Sequence, residues 1–194
     1  KVIYQAQKKL MLQSKAIESA ANSILIINRA GNIIFCNSAT SDVTGFHHDE
    51  IIGKNPRILK SGKHDDLFYR NMWNTVLSGK VWSGEIINKK KNGEFYYEEM
   101  VITPVNGNGS NKITHFIAIK QDITLRKNME KDLFESEKRF RGLFENATLG
   151  LYRTTESGKV LMMNNALFKM LGYNSFEEMH NADLNSNGYV NPKR

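Results

Sequence analysis

One segment of this chain occurs twice. At a constant offset of 127 residues, Gly31, Ile33, Asn37, Ala39, Gly45, Phe46 and Glu50 meet Gly158, Val160, Asn164, Ala166, Gly172, Tyr173 and Glu177. Two glycines, an asparagine and an alanine keep register with no insertion, so one folding unit is used twice. The second copy stops at Arg194, short of any counterpart to the first copy's last strands. With Lys1 rather than Met at its start, the chain reads as a section of a longer polypeptide, whose membrane anchoring stays open.

Within the first copy the hydrophobic period changes in a fixed order. Residues 1–22 carry Val2, Ala6, Leu10, Ile17 and Ala21 near one helical face. Ser23-Ile24-Leu25-Ile26-Ile27 then reads as a strand. Arg29-Ala30-Gly31-Asn32 reads as a tight turn and Ile33-Ile34-Phe35-Cys36 as the returning strand. Short helices and turns follow to Gly62, and Asp65 or Asp66 starts a longer helix bearing Phe68, Met72, Trp73 and Val76, ended by Gly79. Strands over 81–90 and 94–105 are joined by Lys91-Asn92-Gly93, and a last strand runs over 113–121. From Thr124 the helical period returns, with Leu125, Met129, Leu133, Phe140 and Leu143 in a stripe. The expected fold is therefore α+β, a five-stranded antiparallel sheet with helices on one face and a further helix at each end. Central helices against one sheet face enclose a space that either fills with side chains or holds a small ligand.

Several function classes drop out. The net charge of +7 is spread along the chain, and its densest run, Lys89-Lys90-Lys91, sits at a hairpin tip, so nucleic acid is not an expected partner. A single cysteine, Cys36, permits no internal disulfide and no thiolate cluster, which fits a reducing compartment. No apolar run approaches the ~18 residues of a membrane span, so a cytoplasmic location is expected, possible also for the cytoplasmic part of an anchored receptor. Phosphate-binding, zinc-protease and serine-hydrolase signatures are all missing, and His47, His48, His64, His115 and His180 lack metal-ligand spacing.

Three stretches carry a family resemblance: NSILIINRAGNIIFCNSATSDVTGFHHDEIIGKNP, KVWSGEIINKKKNGEFYYEEMVITPV and HFIAIKQDIT. Together they resemble a PAS (Per-Arnt-Sim) sensory domain, with Asp122-Ile123-Thr124 as the family's ending. The resemblance implies an N-terminal signalling helix over 1–22, a PAS domain over 23–123, a connector helix over 124–145 and the first half of a second PAS domain over 146–194. It also implies a module that senses a small ligand, redox state or light and relays it to an output domain in the same polypeptide.

Subtype follows from departures. Where light-oxygen-voltage photosensors carry a flavin-reactive cysteine, Asn55-Pro56-Arg57 places a proline, and their flavin-contacting glutamine corresponds to Lys120. No photoadduct through that position is expected. Haem PAS domains use a histidine on the long helix, and His64 falls early for that role. The W-S-G-x-x-x-N pattern of the flavin-redox group is matched by Trp82-Ser83-Gly84 and Asn88. Trp82 would lie against a planar ring, Asn88 would pair with its edge, and Arg57 with Lys60 would hold a diphosphate. FAD or FMN is thus one expectation, and a pocket without cofactor is the other. Signal relay is assigned to Asp122, Thr124 and Arg126, an Asp122–Arg126 ion pair latching sheet to helix, with a homodimer through the flanking helices. Three functions stay open: ligand or redox sensing, a cofactor-free dimerisation and transmission module, or the regulatory part of a histidine kinase or diguanylate cyclase. In none is this chain itself the enzyme.

Overall fold

A computed structural model describes residues 2–107, 109, 112–156 and 159–172. The chain divides into two compact units, Lys1–Asn128 and Met129–Arg194. Gly158, Tyr173 and Glu177 of the repeat lie outside the described residues, as does all of the second copy beyond Gly172.

The first unit opens with helix α1 (Val2–Glu18) and the hairpin β1 (Ser23–Asn28) and β2 (Ile33–Cys36). Two short helices, α2 (Ser38–Thr44) and α3 (His48–Ile51), and a 3-10 turn over Pro56–Leu59 lead to α4 (Asp66–Leu77). Strands β3 (Trp82–Lys89), β4 (Phe95–Asn106) and β5 (Ile113–Asp122) complete an antiparallel sheet of order β2-β1-β5-β4-β3. The expected strand order and the five-stranded α+β fold hold, with ends displaced by a residue or two. Asp65 starts α4 as its cap, accepting the Phe68 N–H at 2.8 Å. Gly93 takes φ +92 in the β3–β4 turn, a conformation in which a side chain is strained.

Alternation along the strands sends Leu25, Ile27, Ile86, Met100, Ile102, Phe116 and Ala118 to one face, where they meet Tyr69, Met72 and Val76 of α4. Each fully buried large apolar side chain contributes about 1.5–3 kcal/mol. Trp73 stands edge-on to Phe116, ring centroids 5.7 Å apart. β3 lies at the sheet edge, and its Ile87 is covered there: the N–H donates to His64 Nε2 at 2.8 Å, and the carbonyl accepts from the Ser61 hydroxyl.

Helix α5 (Thr124–Asn146) follows β5, and β6 (Tyr152–Thr154), β7 (Val160–Met163) and α6 (Asn165–Leu171) follow it. The repeat is structural. Leu25↔Cys36 and Ile27↔Ile33 recur as Tyr152↔Met163 and Thr154↔Val160, and the register slips at the same step. Asn37 Oδ1 accepts the Ile24 N–H at 2.9 Å, and its Nδ2 donates to the carbonyls of Ile17, Ala20 and Asn22. Asn164 accepts the Leu151 N–H and donates to the carbonyls of Phe144 and Leu149, the counterparts of Ile24, Ile17 and Asn22. Glu18 accepts the Ser38 N–H and Glu145 the Asn165 N–H. In each unit, therefore, one asparagine and one glutamate fasten the preceding helix to the first strand. The end of α5 stands to the second unit as α1 stands to the first.

Candidate functional site

The inner sheet face is apolar at one end and polar at the other. Asn88, Tyr96, Glu98 and Lys120 are all buried, on β3, β4 and β5. Lys120 Nζ lies 3.0 Å from Glu98 Oε2 and 3.3 Å from Oε1, and Asn88 Nδ2 donates to Oε2 at 2.8 Å. A buried carboxylate holding an ammonium and an amide is the condition under which such a pair persists. Burial, with the negative charge of Glu98 beside it, pushes the Tyr96 phenol well above its usual range, so it stays protonated.

Asn88 and Lys120 of this network floor a cavity between the sheet and α4, with Glu98 behind them. Leu25, Met72, Ile86, Ile102 and Ala118 supply apolar wall; Asn88, Lys120, Arg57, Lys60 and Tyr69 supply the polar lining. Lys60 Nζ rests 3.5 Å from the centre of the Tyr69 ring, a cation–π contact, and its backbone bridges to Asn88. Arg57 is exposed and stands at the mouth.

Of the four residues expected to hold a cofactor, Asn88, Arg57 and Lys60 line this cavity and Trp82 does not. The Trp82 ring covers Gly84, where a Cβ would come within 2.8 Å of it, and stands edge-on to Phe68 at 5.9 Å. The glycine of the W-S-G pattern thus seats the tryptophan, whose face is already used. His64 lies elsewhere too. Its Nε2 accepts from Ile87, its ring stacks on Phe68 at 4.2 Å, and burial lowers its pKa from 6.5.

At the root of α5, Asp122 Oδ1 caps the Thr124 N–H at 2.8 Å, and the Tyr97 N–H donates to Thr124 Oγ1 at 3.0 Å. Arg126 reaches Glu85 at 3.6 Å and Glu99 at 3.9 Å, and Lys127 reaches Glu85 at 2.7 Å. The expected Asp122–Arg126 latch is therefore recast: Asp122 serves as a cap, and Arg126 bridges to the outer faces of β3 and β4. Sequence reasoning passed over Glu98 and Tyr69. The signal for Glu98 was present, because alternation through Tyr96, Met100 and Ile102 points it inward.

A PAS-domain profile matches residues 21–125, and a second PAS-domain profile matches residues 138–192. The chain belongs to the PAS family. Its relatives include the nitrogen fixation regulatory protein of Klebsiella oxytoca, 29% identical over 148 residues, 76% of this chain and 30% of the relative. Another is the blue-light-activated histidine kinase of Brucella canis, 29% identical over 140 residues, 66% of this chain and 28% of the relative. The chain thus spans about 30% of the length of the nitrogen fixation relatives. Among solved structures, an RNA-binding light-oxygen-voltage receptor aligns with TM-score 0.59 at 22% identity, covering 66% of this chain and 36% of that one. The PAS domain of a Colwellia psychrerythraea protein aligns with TM-score 0.55 at 23% identity, covering 59% of this chain and 97% of that one. The solved structures show the PAS fold, and the family profiles with the two regulatory relatives mark the chain as a PAS sensory module.

The lining can be tested against a flavin. Its amide, ammonium and guanidinium groups suit a hydrogen-bonding ring edge and a phosphate. Its size does not: the cavity is about 60 Å³, against the roughly 300–1,000 Å³ usual for ligand pockets. A tricyclic ring does not fit this cavity as folded; a molecule of a few heavy atoms does.

Proposed function

We propose that residues 23–123 are the sensing part of a larger signalling protein, in which occupancy of the cavity is passed to α5. The observation that carries this reading is the position of the floor. Glu98 lies opposite Asp122 in the β4–β5 register, and the neighbouring Tyr97 bonds through its carbonyl to the Ile123 N–H and through its N–H to Thr124. A change at Glu98 is one residue from the helix root. Two helix positions differing by a few kcal/mol suffice for a relay. The output domain, of histidine kinase or diguanylate cyclase type, belongs to the remainder of the polypeptide. FAD or FMN is supported by the donor set and opposed by the cavity's size.

Amide hydrogen exchange tests the relay. Lys120→Gln disturbs the floor, so exchange at residues 122–127 should quicken relative to Ile24–Ile27 at the far side of β5. Equal exchange in variant and wild type would refute it. An absorbance spectrum of the purified chain separates flavin, haem and neither.

A second reading, dimerisation through the flanking helices, has its own support. Ile3 and Leu10 on α1, and Leu125, Met129 and Leu133 on α5, are all exposed, and helices in proteins draw most of their stability from packing an apolar face. Light scattering on residues 1–140 against 23–140 tests it; a monomer in both at high micromolar concentration would end it.

A further inference from the structure

The buried Tyr69 hydroxyl finds no hydrogen-bond partner among the described residues. Native folds keep such groups where something outside the chain completes them. Tyr69 is 8% exposed and lines the cavity. Beside it stands the Lys60 ammonium, 3.5 Å from its ring centre. From the sheet side comes Lys120, 4% exposed, whose ammonium has three N–H donors. Its contacts at 3.0 and 3.3 Å both go to the one carboxylate of Glu98.

Most of the cavity surface is hydrocarbon, and among the polar groups that border it the charged ones are all cationic, beside the amides of Asn55 and Asn88. Arg57, Lys60 and Lys120 border the cavity, Glu98 lies behind Lys120 and outside the lining, and Tyr69 adds a phenol. The complement of such a set is a group that only accepts and carries negative charge. Met72, Ile86 and Ile102 ask in addition for apolar surface, and a cavity of about 60 Å³ limits the occupant to a few heavy atoms. We infer that the cavity binds a short-chain organic carboxylate, its oxygens on the Tyr69 hydroxyl and the Lys120 ammonium and its carbons against Met72 and Ile86. This rests on the sensory reading above and names the class of ligand sensed.

The test is calorimetric titration of the full 194-residue chain with acetate, propionate and pyruvate, with nitrate and chloride at matched ionic strength, and with FMN. Saturable binding of the carboxylates is expected, and none of chloride. Tyr69→Phe removes only an unpaired hydroxyl, so melting should be unchanged while carboxylate affinity falls about tenfold. Lys60→Met should weaken binding in the same direction. Nitrate binding as tightly as the carboxylates would overturn the organic part of the assignment, leaving a general oxyanion site. Unchanged affinity in Tyr69→Phe would overturn the site. Tight, stoichiometric FMN binding without carboxylate binding would overturn this inference and leave the sensory reading standing. If no probe binds, this inference falls, and the sensory reading is decided by the exchange experiment above.

Discussion

Along the inner sheet face, Leu25, Ile27, Ile102 and Phe116 at one end are as buried as Asn88, Glu98 and Lys120 at the other. What holds them differs. The apolar end gains from exclusion of water and tolerates any filling of similar volume. The polar end has no such tolerance, because each of its groups is worth its burial only while its partner is in place. On the proposed reading, a ligand that competes for Lys120 would perturb the second end and leave the first alone.

The largest expected effects separate the two ends. Phe116→Ala should cost about 3–5 kcal/mol, and no second substitution at the polar end should recover it. Lys120→Met strands Glu98 without a counter-charge and should also cost about 3–5 kcal/mol. Here the double variant Lys120→Met/Glu98→Leu should regain at least wild-type stability, since an apolar pair replaces an ionic one. Urea denaturation of the four proteins decides. A double variant no better than Lys120→Met would mean that the polar end is not organised around this pair.

A smaller effect is expected where buried polar groups are neutral. Asn37 is 1% exposed and bonds four backbone groups of residues 17–24. Asn37→Ala should cost about 1–3 kcal/mol and release α1, giving faster proteolysis within Val2–Glu18. Asn164→Ala should release the end of α5 in the same way. If only one of the two helices loosens, the repeated bonding does not carry a repeated function.

How far the site was legible follows from which contacts are local. Asp65 as a cap and Lys91-Asn92-Gly93 as a turn depend on neighbours along the chain, and both hold. The Trp82 assignment read the correct face of β3 and missed that Gly84, two residues on, already occupies the ring. Glu98 with Lys120 was harder. Each sits at an inward position of its own strand, but their meeting depends on the β4–β5 register, which places Lys120 opposite Met100 and Asp122 opposite Glu98. Register between strands is a tertiary fact. The orphaned Tyr69 hydroxyl is less legible still, being defined by what does not surround it.

The last and smallest effect is a pH dependence confined to the rim of the polar end. His64 Nε2 accepts the Ile87 N–H, which only a neutral imidazole can do, and burial lowers its pKa from 6.5 while Asp65 opposes that shift. As pH falls, the unfolded chain takes up this proton first. The stabilisation is therefore complete above about 6.5 and declines as pH drops through the lower folded value. The Glu50 and Glu94 carboxyls, held below 4.5 chiefly by hydrogen bonds from Lys91 and Asn92, lose their contribution in a separate, more acid window. Denaturation midpoints should thus fall between pH 7.5 and 5.5 in wild type and in Phe116→Ala alike. His64→Leu should start about 1 kcal/mol lower at pH 7.5, from the lost acceptor, and show a flatter profile. An unaltered slope in His64→Leu would move the titrating group elsewhere. An altered slope in Phe116→Ala would show that the two ends of the face are not independent.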